Sequence, residues 1–279
     1  MKKIHIVTDS TADLIEDYLE EYDIHVVPLS IQINGKTYSD GIDIQPEMFL
    51  EMMKESEELP KSSQPASGVF KELYDRLGAD GSEVISIHMT GGMSGTVKSA
   101  EAAAKMTDTN VTVIDSMYIS HALTFQVLEA AKMAKEGKSV EEIVDRLTTI
   151  RNNTSLYVVV DMLDNLLKGG RIGKGKAMIG SLLNIKPIAT LQDGVYTPVG
   201  KARSHKQVAA HLFKAFKEET AGKLIKSVGI SHAHGLSMAE PLKKLIEESG
   251  WKDIKFSFTS PIISTHTGEG AIGFMYYTD

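Results

Sequence analysis

The sequence of 279 residues contains no cysteine. Disulfide bonds, thiolate metal sites and cysteine nucleophiles are therefore excluded, and this composition is compatible with a reducing compartment. Long apolar runs are also missing, since no stretch approaches the roughly 20 residues that span a bilayer. The apolar run that follows Lys2 and Lys3 stops at Thr8, which is too early for an export signal. We therefore expect a cytoplasmic protein without an integral membrane span.

Basic residues are fewer than acidic residues in this sequence. The sequence has 30 Lys and Arg against 37 Asp and Glu, which gives a formal net charge of -7. A general nucleic-acid binder needs a concentrated basic face, so we expect no nucleic-acid partner. Apolar residues make up 42% and charged residues 24%, as is usual for a globular protein. At roughly 100–200 residues per domain, the length suggests two domains.

The order of the predicted elements indicates an α/β fold. In the first half, short β-branched runs alternate with helical stretches, which predicts a mostly parallel sheet with helices on both faces. A polar break at Arg151-Asn152-Asn153-Thr154 predicts domains over 1–153 and 154–279. The second half mixes helices with a hairpin at Gln192-Asp193-Gly194, which predicts an α+β domain with a mixed sheet.

Several local predictions depend on turn and cap residues. Asn34-Gly35 predicts a hairpin. The other predictions are a helix over 11–21 capped by Ser10 or Thr11, a strand over 24–33 broken near Pro28, a helix opened by Ser139 with Glu142 completing a capping box, and a helix over 177–183.

Hydroxyls, carboxylates and glycines follow three predicted strands of the first half. The segments are Thr8-Asp9-Ser10-Thr11, the loop 90–96 and Asp115-Ser116. Ligands bind beyond the carboxyl ends of the strands in an open parallel sheet. In the loop, paired glycines allow close backbone approach, and Ser94 is predicted to open a helix whose free N–H groups suit an anion. Elsewhere, helix capping alone explains the same residue types.

Other polar groups are less specific. Ser62-Ser63-Gln64-Pro65 precedes a predicted helix and offers two hydroxyls at its start. Arg203 follows a hairpin strand, and His266 lies in a segment rich in Ser, Thr and Gly, so both are candidate cationic groups. For His232 and His234 no third ligand is apparent in the sequence, and we predict a structural role or a role in lining a site for them.

The segment 170–177 matches a phosphate-binding loop except at its last position. Ala177 stands where Ser or Thr would hold magnesium, and the segment follows a predicted helical turn instead of a strand. Nucleotide hydrolysis is therefore not predicted. The basic residues in and before this segment are either a solvated surface or part of a site: Lys168, Arg171, Lys174 and Lys176.

A second motif, Gly92-Met93-Ser94-Gly95-Thr96, resembles the nucleophile elbow of serine hydrolases, with Thr96 where that pattern needs glycine. His266 could act as the base, and Asp9 or Asp115 could orient it. The alternative hypothesis is therefore a serine hydrolase that acts on acyl esters through Ser94 and His266.

Six ordered blocks, which extend over nearly the whole chain, resemble the DegV family. They are 8–14, 62–65, 94–96, Asp115-Ser116, 168–172 and the segment around His266. The resemblance implies two α/β domains with one long-chain fatty acid buried between them. It also implies a partner, a separate fatty acid kinase that phosphorylates the carboxylate of the bound acid. It implies no cofactor, no metal and no chemical step in the chain itself.

The resemblance also predicts the carboxylate site by position. The predicted ligand-binding residues are Ser62, Ser94, Arg203 and His266. The predicted supporting residues are Thr8, Asp9, Ser63, Thr96 and Arg171. Two positions depart from the family pattern, since Ser62 stands where the family has threonine and Glu269 stands where it usually has proline.

Overall fold

The computed structural model describes residues 2–178 and 185–279. The strands of the first half are β1 (Ile4–Asp9), β2 (Ile24–Val27), β3 (Ser30–Ile33), β4 (Lys36–Ser39), β5 (Lys61–Ser63), β6 (Glu83–His88) and β7 (Val111–Asp115). Its helices are α1 (Glu16–Tyr22), α2 (Pro46–Glu55), α3 (Ser67–Leu77), α4 (Thr96–Ala104), α5 (Ser120–Lys135) and α6 (Val140–Asn152).

The second half follows directly after α6. Its strands are β8 (Thr154–Val159), β9 (Lys186–Gln192), β10 (Val195–Ala202), β11 (Ile225–His232), β12 (Ile254–Phe258) and β13 (Ile272–Thr278). Its helices are α7 (Asp164–Lys168), α8 (His205–Glu219), α9 (Leu236–Glu248) and α10 (Pro261–Thr267), and a 3₁₀ helix covers Gly173–Met178. Within the described ranges, none of the helices is long and apolar enough to cross a membrane.

The strands form three sheets, and the predicted fold class is confirmed. A parallel sheet has the order β2-β1-β6-β7, and a mixed sheet has the order β10-β9-β8-β13-β11-β12. A small antiparallel sheet has the order β4-β3-β5. Both β1 and β6 are buried along almost their whole length, as is usual for central strands of a parallel sheet with both faces covered.

Helix α5 packs between the two large sheets. It contacts β1 and β6 on one side and β8, β11 and β13 on the other. Most of its residues are buried, including polar ones such as Thr124 and Gln126, because both of its faces meet protein. The largest apolar core cluster therefore contains residues from both sides of the predicted boundary between 153 and 154, which lies between α6 and β8. The division into two domains stays a prediction.

Three local predictions are confirmed. Asn34 and Gly35, with φ of 50° and 76°, join β3 to β4, and Asp193 and Gly194, with φ of 53° and 73°, join β9 to β10. Positive φ at both central residues is what a tight type I′ hairpin turn requires. The capping box at the start of α6 is also present.

Other local predictions are wrong. The first helix begins at Glu16, after an N-cap without a side-chain hydrogen bond, because the Thr11 hydroxyl donates to Asp9 Oδ1 instead. The strand 24–33 breaks near Pro28 as predicted, but the sequence did not show that its two parts belong to different sheets, with β2 in the parallel sheet and β3 in the small antiparallel sheet. The sequence analysis did not foresee β5 or α10. The predicted helix 177–183 lies largely outside the described residues; the 3₁₀ helix that covers its first two residues ends at Met178.

Two aspartates, Asp13 and Asp40, lie where the β1–α1 and β4–α2 loops meet the start of α10. Ser120 Oγ donates to Asp13, and only 2% of Asp40 is exposed. Burial raises the pKa of Asp40 to about 7. Burial also raises the pKa of Asp13 to about 7, and the charge of Asp40 adds to this shift. The folded protein therefore retains protons that these carboxyl groups lose in the unfolded chain.

The substitution Asp40→Asn should change how stability depends on pH. The unfolded chain releases the Asp40 proton near pH 4, whereas the folded chain holds it until about pH 7. This contribution favours folding at the acid end of that interval and is lost at up to about 1.4 kcal/mol per pH unit as the pH rises. Urea titrations at about pH 5 and pH 8 should show that the wild type loses about 2–3 kcal/mol more than the variant. The exposed control Asp108→Asn should follow the wild type. Parallel pH curves for the wild type and Asp40→Asn would contradict the shift.

Candidate functional site

A cavity of about 320 Å³ lies between the two halves, beyond the carboxyl ends of the parallel strands. Its size falls within the range of roughly 300–1,000 Å³ that is usual for small-molecule sites. The apolar lining residues are Leu29, Met89, Met93, Ile119, Val158, Leu166, Tyr196, Ile262 and Ile263. The polar lining residues are Ser62, Ser63, Gln64, Ser94, Arg171, His266 and Thr267. Most of the polar group is partly or fully exposed, whereas nearly all of the apolar group is buried, so the cavity has a polar mouth and an apolar interior.

Ser62 and His266 join the two halves at the polar mouth. The Ser62 hydroxyl and His266 Nε2 are 2.8 Å apart, although 204 positions separate the two residues. Ser62 lies on β5, an edge strand that pairs with β3, and His266 lies in the last turn of α10. The start of α10 is fixed by Ser260, whose hydroxyl accepts from the Ile263 N–H, and by Pro261 in the first turn.

The His266 ring is held in its neutral form. Burial lowers the pKa of His266 to about 4, and the positive charge of Arg171 adds to the effect. Its Nδ1 is buried and has no hydrogen-bond partner among the described residues. The ring also packs closely on Gly169, where a Cβ atom would come within 2.3 Å of Nδ1. A neutral imidazole can donate from one nitrogen and accept at the other, so it can bond a carboxylate without adding a charge of its own.

Arg171 is the cationic group of the mouth. Its Nε donates to the Met93 carbonyl over 3.0 Å, and its Nη1 donates to the Gly169 carbonyl over 2.8 Å. These two bonds connect the 90–96 loop of the first half to the α7 region of the second half. They use two of the five N–H donors of a guanidinium, so donors remain for an anion beside Ser94 and His266.

Ser94 lies on the 90–96 loop, and hydrogen bonds hold both ends of this loop in place. Its hydroxyl lies 2.8 Å from Thr96 Oγ1, and Thr96 begins α4 after the N-cap Gly95. Ser94 therefore lies two residues before the helix and does not open it. The start of the loop is fixed by Asp9, whose Oδ2 accepts from the Met89 N–H over 2.8 Å and lies 3.1 Å from His88 Nδ1.

Asp9 stays ionised although it is fully buried. Burial alone would raise its pKa, but hydrogen bonds from His88, Thr11 and the Met89 N–H outweigh burial and hold the pKa of Asp9 below its usual value. Asp9 is therefore a support for the loop and does not line the cavity.

The apolar end continues deeper into the protein. A small cavity of about 20 Å³ shares Ile119, Val158, Ile263 and Thr267 with the main one. It is bounded further in by Leu156 and other residues of the mixed sheet: Ala271, Ile272, Gly273 and Met275. The small cavity therefore adjoins the inner end of the main cavity, and most of the residues around it are apolar.

An outer hollow of about 490 Å³ adjoins the polar mouth and shares Ser62, Ser63, Arg171 and His266 with it. The exposed lysines Lys61 and Lys168 also line it. The polar end of the cavity therefore faces a positively charged recess that is open to solvent.

Comparisons with known proteins identify the family. A family model described as an uncharacterised protein of the DegV family matches residues 3–279. The chain belongs to the DegV family. A DegV domain-containing protein of Listeria monocytogenes is 47% identical over 281 residues, which cover 100% of both chains. A DegV domain-containing protein of Staphylococcus aureus is 46% identical over 274 residues, 98% of both chains.

Solved DegV structures have the same fold. A DegV family protein from Thermus thermophilus, described by its fatty acid binding, matches with a TM-score of 0.94 and 32% identity, covering 99% of this chain and 100% of that one. DegV from Bacillus subtilis, described as a fatty acid binding protein, matches with a TM-score of 0.90 and 35% identity, covering 100% of both chains.

The structure of this DegV chain brings most of the predicted site residues together. The predicted residues that line the cavity are Ser62, Ser63, Ser94, Arg171 and His266. Thr8, Asp9 and Thr96 are fully buried behind it and are not among its lining residues. Ser62 and Ser63 were expected at a helix start, but they lie on β5, while α3 begins at Ser67 with Ala66 as its N-cap.

Arg203 is not brought to the cavity. Its side chain is exposed, and its N–H donates to Gln207 Oε1 in the first turn of α8. Tyr196, at the start of β10, lines the cavity, whereas Arg203 comes after the end of that strand. Arg203 lines neither the cavity nor the outer hollow. The structure therefore does not place Arg203 among the residues that line the cavity, whereas Arg171 is one of them.

The residues of the alternative hydrolase do not form a triad. His266 Nε2 contacts Ser62, and Ser94 contacts Thr96. The carboxylate of Asp115 accepts from the N–H groups of Gly91 and Met117. Among the described residues, the Ser94 hydroxyl has no hydrogen bond to a histidine and His266 has none to a carboxylate, so the hydrogen-bonded chain of that mechanism is not formed.

Two features were missed in the sequence. Gln64 Nε2 donates to the Gly95 carbonyl over 3.1 Å and to Ser99 Oγ over 2.8 Å, so it links the Ser62 segment to the start of α4. Glu269, which stands in place of the usual proline, is partly exposed beside His234 Nδ1 at 3.3 Å and does not line the cavity. Neither pairing has a local signal, because the partners lie about 30 or more positions apart.

Proposed function

We propose that this chain binds one long-chain fatty acid in the cavity between its halves. The observation that carries the proposal is the division of the cavity into a polar mouth and an apolar interior. The mouth would hold the carboxylate between Ser62, Ser94, Arg171 and His266, and the passage beside Val158 would hold the tail. The descriptions of the Thermus thermophilus and Bacillus subtilis relatives as fatty acid binding proteins support the same ligand.

The mouth suits a carboxylate for electrostatic reasons. Arg171 supplies a positive charge next to two hydroxyls and a neutral imidazole, and charge-assisted hydrogen bonds of this kind are stronger than neutral ones. All four groups are hydrogen-bond donors that hold the head group without forming a covalent bond to it. The hydrogen bond between Ser62 and His266 would give way to bonds with the ligand.

The tail supplies most of the binding free energy. Burying about 15 methylene groups is worth on the order of 12 kcal/mol in gross terms. The loss of translational and conformational freedom reduces this value considerably, but the balance is still enough for stable retention. The chain would therefore keep its ligand through the tail and control its chemistry through the head.

We further propose that the head group is presented to a separate fatty acid kinase in the cytoplasm, where nucleotide is available. The outer hollow supports this step because it joins the mouth directly and carries Lys61 and Lys168 beside Arg171. Cationic groups in this position would favour an incoming phosphoryl group and the acyl phosphate product. On this proposal the chain itself performs no chemical step.

Mass spectrometry of the natively purified protein, recorded before and after denaturation, tests the binding proposal. The native mass should exceed the chain mass by one fatty acid, and denaturation should release close to one equivalent. A protein that carries no lipid and takes up none from added fatty acid would refute the proposal. Rapid turnover of activated acyl esters that is abolished by Ser94→Ala would favour the hydrolase instead.

A further inference from the structure

A second cluster of polar side chains lies at the opposite end of the parallel sheet. His5 is the second residue of β1, His25 is the second residue of β2, and Asp23 comes immediately before β2. The ligand atoms of the three side chains lie within 4.8 Å of one another. His5 Nδ1 is 3.4 Å from His25 Nε2, and oxygens of Asp23 lie 3.7 Å from each of these nitrogens.

The distance between the two imidazole nitrogens matches the geometry of a bound metal ion. In a tetrahedral site with metal–ligand bonds of about 2.0–2.1 Å, neighbouring ligand atoms are roughly 3.3–3.4 Å apart. The nitrogen pair already has this spacing, whereas Asp23 Oδ2 faces His5 and Asp23 Oδ1 faces His25, so the exposed carboxylate would have to turn to bring one oxygen to the ion. We propose that His5, Asp23 and His25 form a binding site for a divalent transition-metal ion of the zinc type, with water as the fourth ligand.

The types of the ligand atoms indicate which metal ions the site would bind. Two imidazole nitrogens and one carboxylate oxygen suit zinc, nickel and copper, whereas magnesium and calcium prefer sites made of oxygen atoms. Asp23 is 58% exposed, which leaves a path from solvent to the site.

The backbone conformation of Asp23 also favours the proposed site. Asp23 has a φ of 50° and ends α1 in the left-handed conformation, which only a few residue types adopt readily. This turn directs its carboxylate back toward the two imidazoles at the start of the sheet. The ion would therefore tie the end of α1 to β1 and β2.

Lys3 competes for the same carboxylate. Its Nζ donates to Asp23 Oδ2 over 3.0 Å, and both side chains are more than half exposed. An exposed ion pair of this kind is weak, so a metal ion can displace the ammonium group. Removal of the lysine charge should consequently tighten metal binding. If Asp23 only formed a surface ion pair with Lys3, this substitution would have no effect on metal binding.

The metal site is independent of the lipid cavity. It lies at the amino ends of β1 and β2, and the cavity lies beyond the carboxyl ends of the same sheet. His5 and Asp9 are four positions apart on β1, a distance of roughly 13 Å. Substitutions in the cluster should therefore leave fatty acid occupancy unchanged.

Isothermal titration of the full chain with zinc chloride, after treatment with a chelator, tests the proposal. We expect one saturable zinc equivalent and no comparable binding of magnesium chloride. His25→Gln and Asp23→Asn should each weaken zinc binding by roughly 100-fold or more, because each removes a ligand. The control His211→Gln, at an exposed histidine outside the cluster, should bind zinc as the wild type does. Lys3→Met should bind zinc more tightly.

Two results would overturn the proposal. One is the absence of a saturable zinc equivalent in the wild type. The other is zinc binding that survives both His25→Gln and Asp23→Asn, which would place the ion elsewhere. Asparagine tolerates the left-handed conformation, so Asp23→Asn should fold even if the histidine variant does not. Circular dichroism of each variant checks this point.

Discussion

The substitution Val158→Phe should empty the cavity of lipid. Val158 lies on β8, is 6% exposed and borders both the main cavity and its inner extension. A phenyl ring at this position would occupy the passage that the acyl chain needs. Each methylene group that can no longer be buried costs about 0.8 kcal/mol of binding free energy. Mass spectrometry of the purified variant should therefore detect less than about a tenth of the lipid that the wild type carries.

The controls for this variant separate blockage from misfolding. Overpacking of a core position costs about 1–3 kcal/mol, so the melting temperature should fall without loss of the folded state. Val199→Phe makes the same change at a position that is 53% exposed and away from the cavity, and it should keep full occupancy. Ala271→Leu narrows only the inner extension and should shift the bound lipid toward shorter chains. A folded Val158→Phe protein with wild-type occupancy would show that the lipid lies elsewhere.

Loss of a head-group contact should slow phosphorylation of the bound acid but leave lipid retention unchanged. Ser62, Ser94 and His266 contact the proposed carboxylate position, whereas tail burial supplies most of the binding free energy. Ser62→Ala, Ser94→Ala and His266→Ala should therefore retain lipid. Each should slow acyl phosphate formation by a purified kinase roughly 10-fold to 100-fold, since a hydrogen bond to a charged group is worth about 1.5–3 kcal/mol.

Arg203→Ala is the matched control for the head-group variants. It removes a cationic side chain that the family resemblance assigned to the site but that the structure leaves exposed beside α8. Acyl phosphate formation should stay close to the wild-type rate. Equal loss of activity in Arg203→Ala and Ser94→Ala would contradict the geometry described for the mouth, and wild-type rates in all three head-group variants would place the carboxylate elsewhere.

Elements with a strong local pattern were predictable from the sequence. The helix opened by Ser139 has its predicted capping box, and the two hairpin turns have the residues that their positive φ angles demand. The start of α1 was not predictable, because the Thr11 hydroxyl could serve as a helix cap or bond Asp9. Only the packing of β6 against β1, which brings His88 and the Met89 N–H to Asp9, decides between them.

The site was predictable in its residue types more than in its arrangement. Ser94 and His266 were expected near a carboxylate, but the sequence could not show that His266 lies on a helix or that Ser62 lies on an edge strand. The choice between Arg171 and Arg203 depends on how the two halves pack together. Contacts such as the one from Arg171 to the Met93 carbonyl join residues 78 positions apart and leave no local pattern.

The position of α5 limits how a ligand can be exchanged. Because this helix is packed on both large sheets, separating the sheets by a hinge motion would expose its buried faces to water. The acyl chain would therefore have to slide lengthwise through the mouth, past α10 and the 90–96 loop, with its methyl end entering first and leaving last. On the proposed function, release would be limited by the sliding of one long chain through a narrow opening, so residence times should increase with each added methylene group.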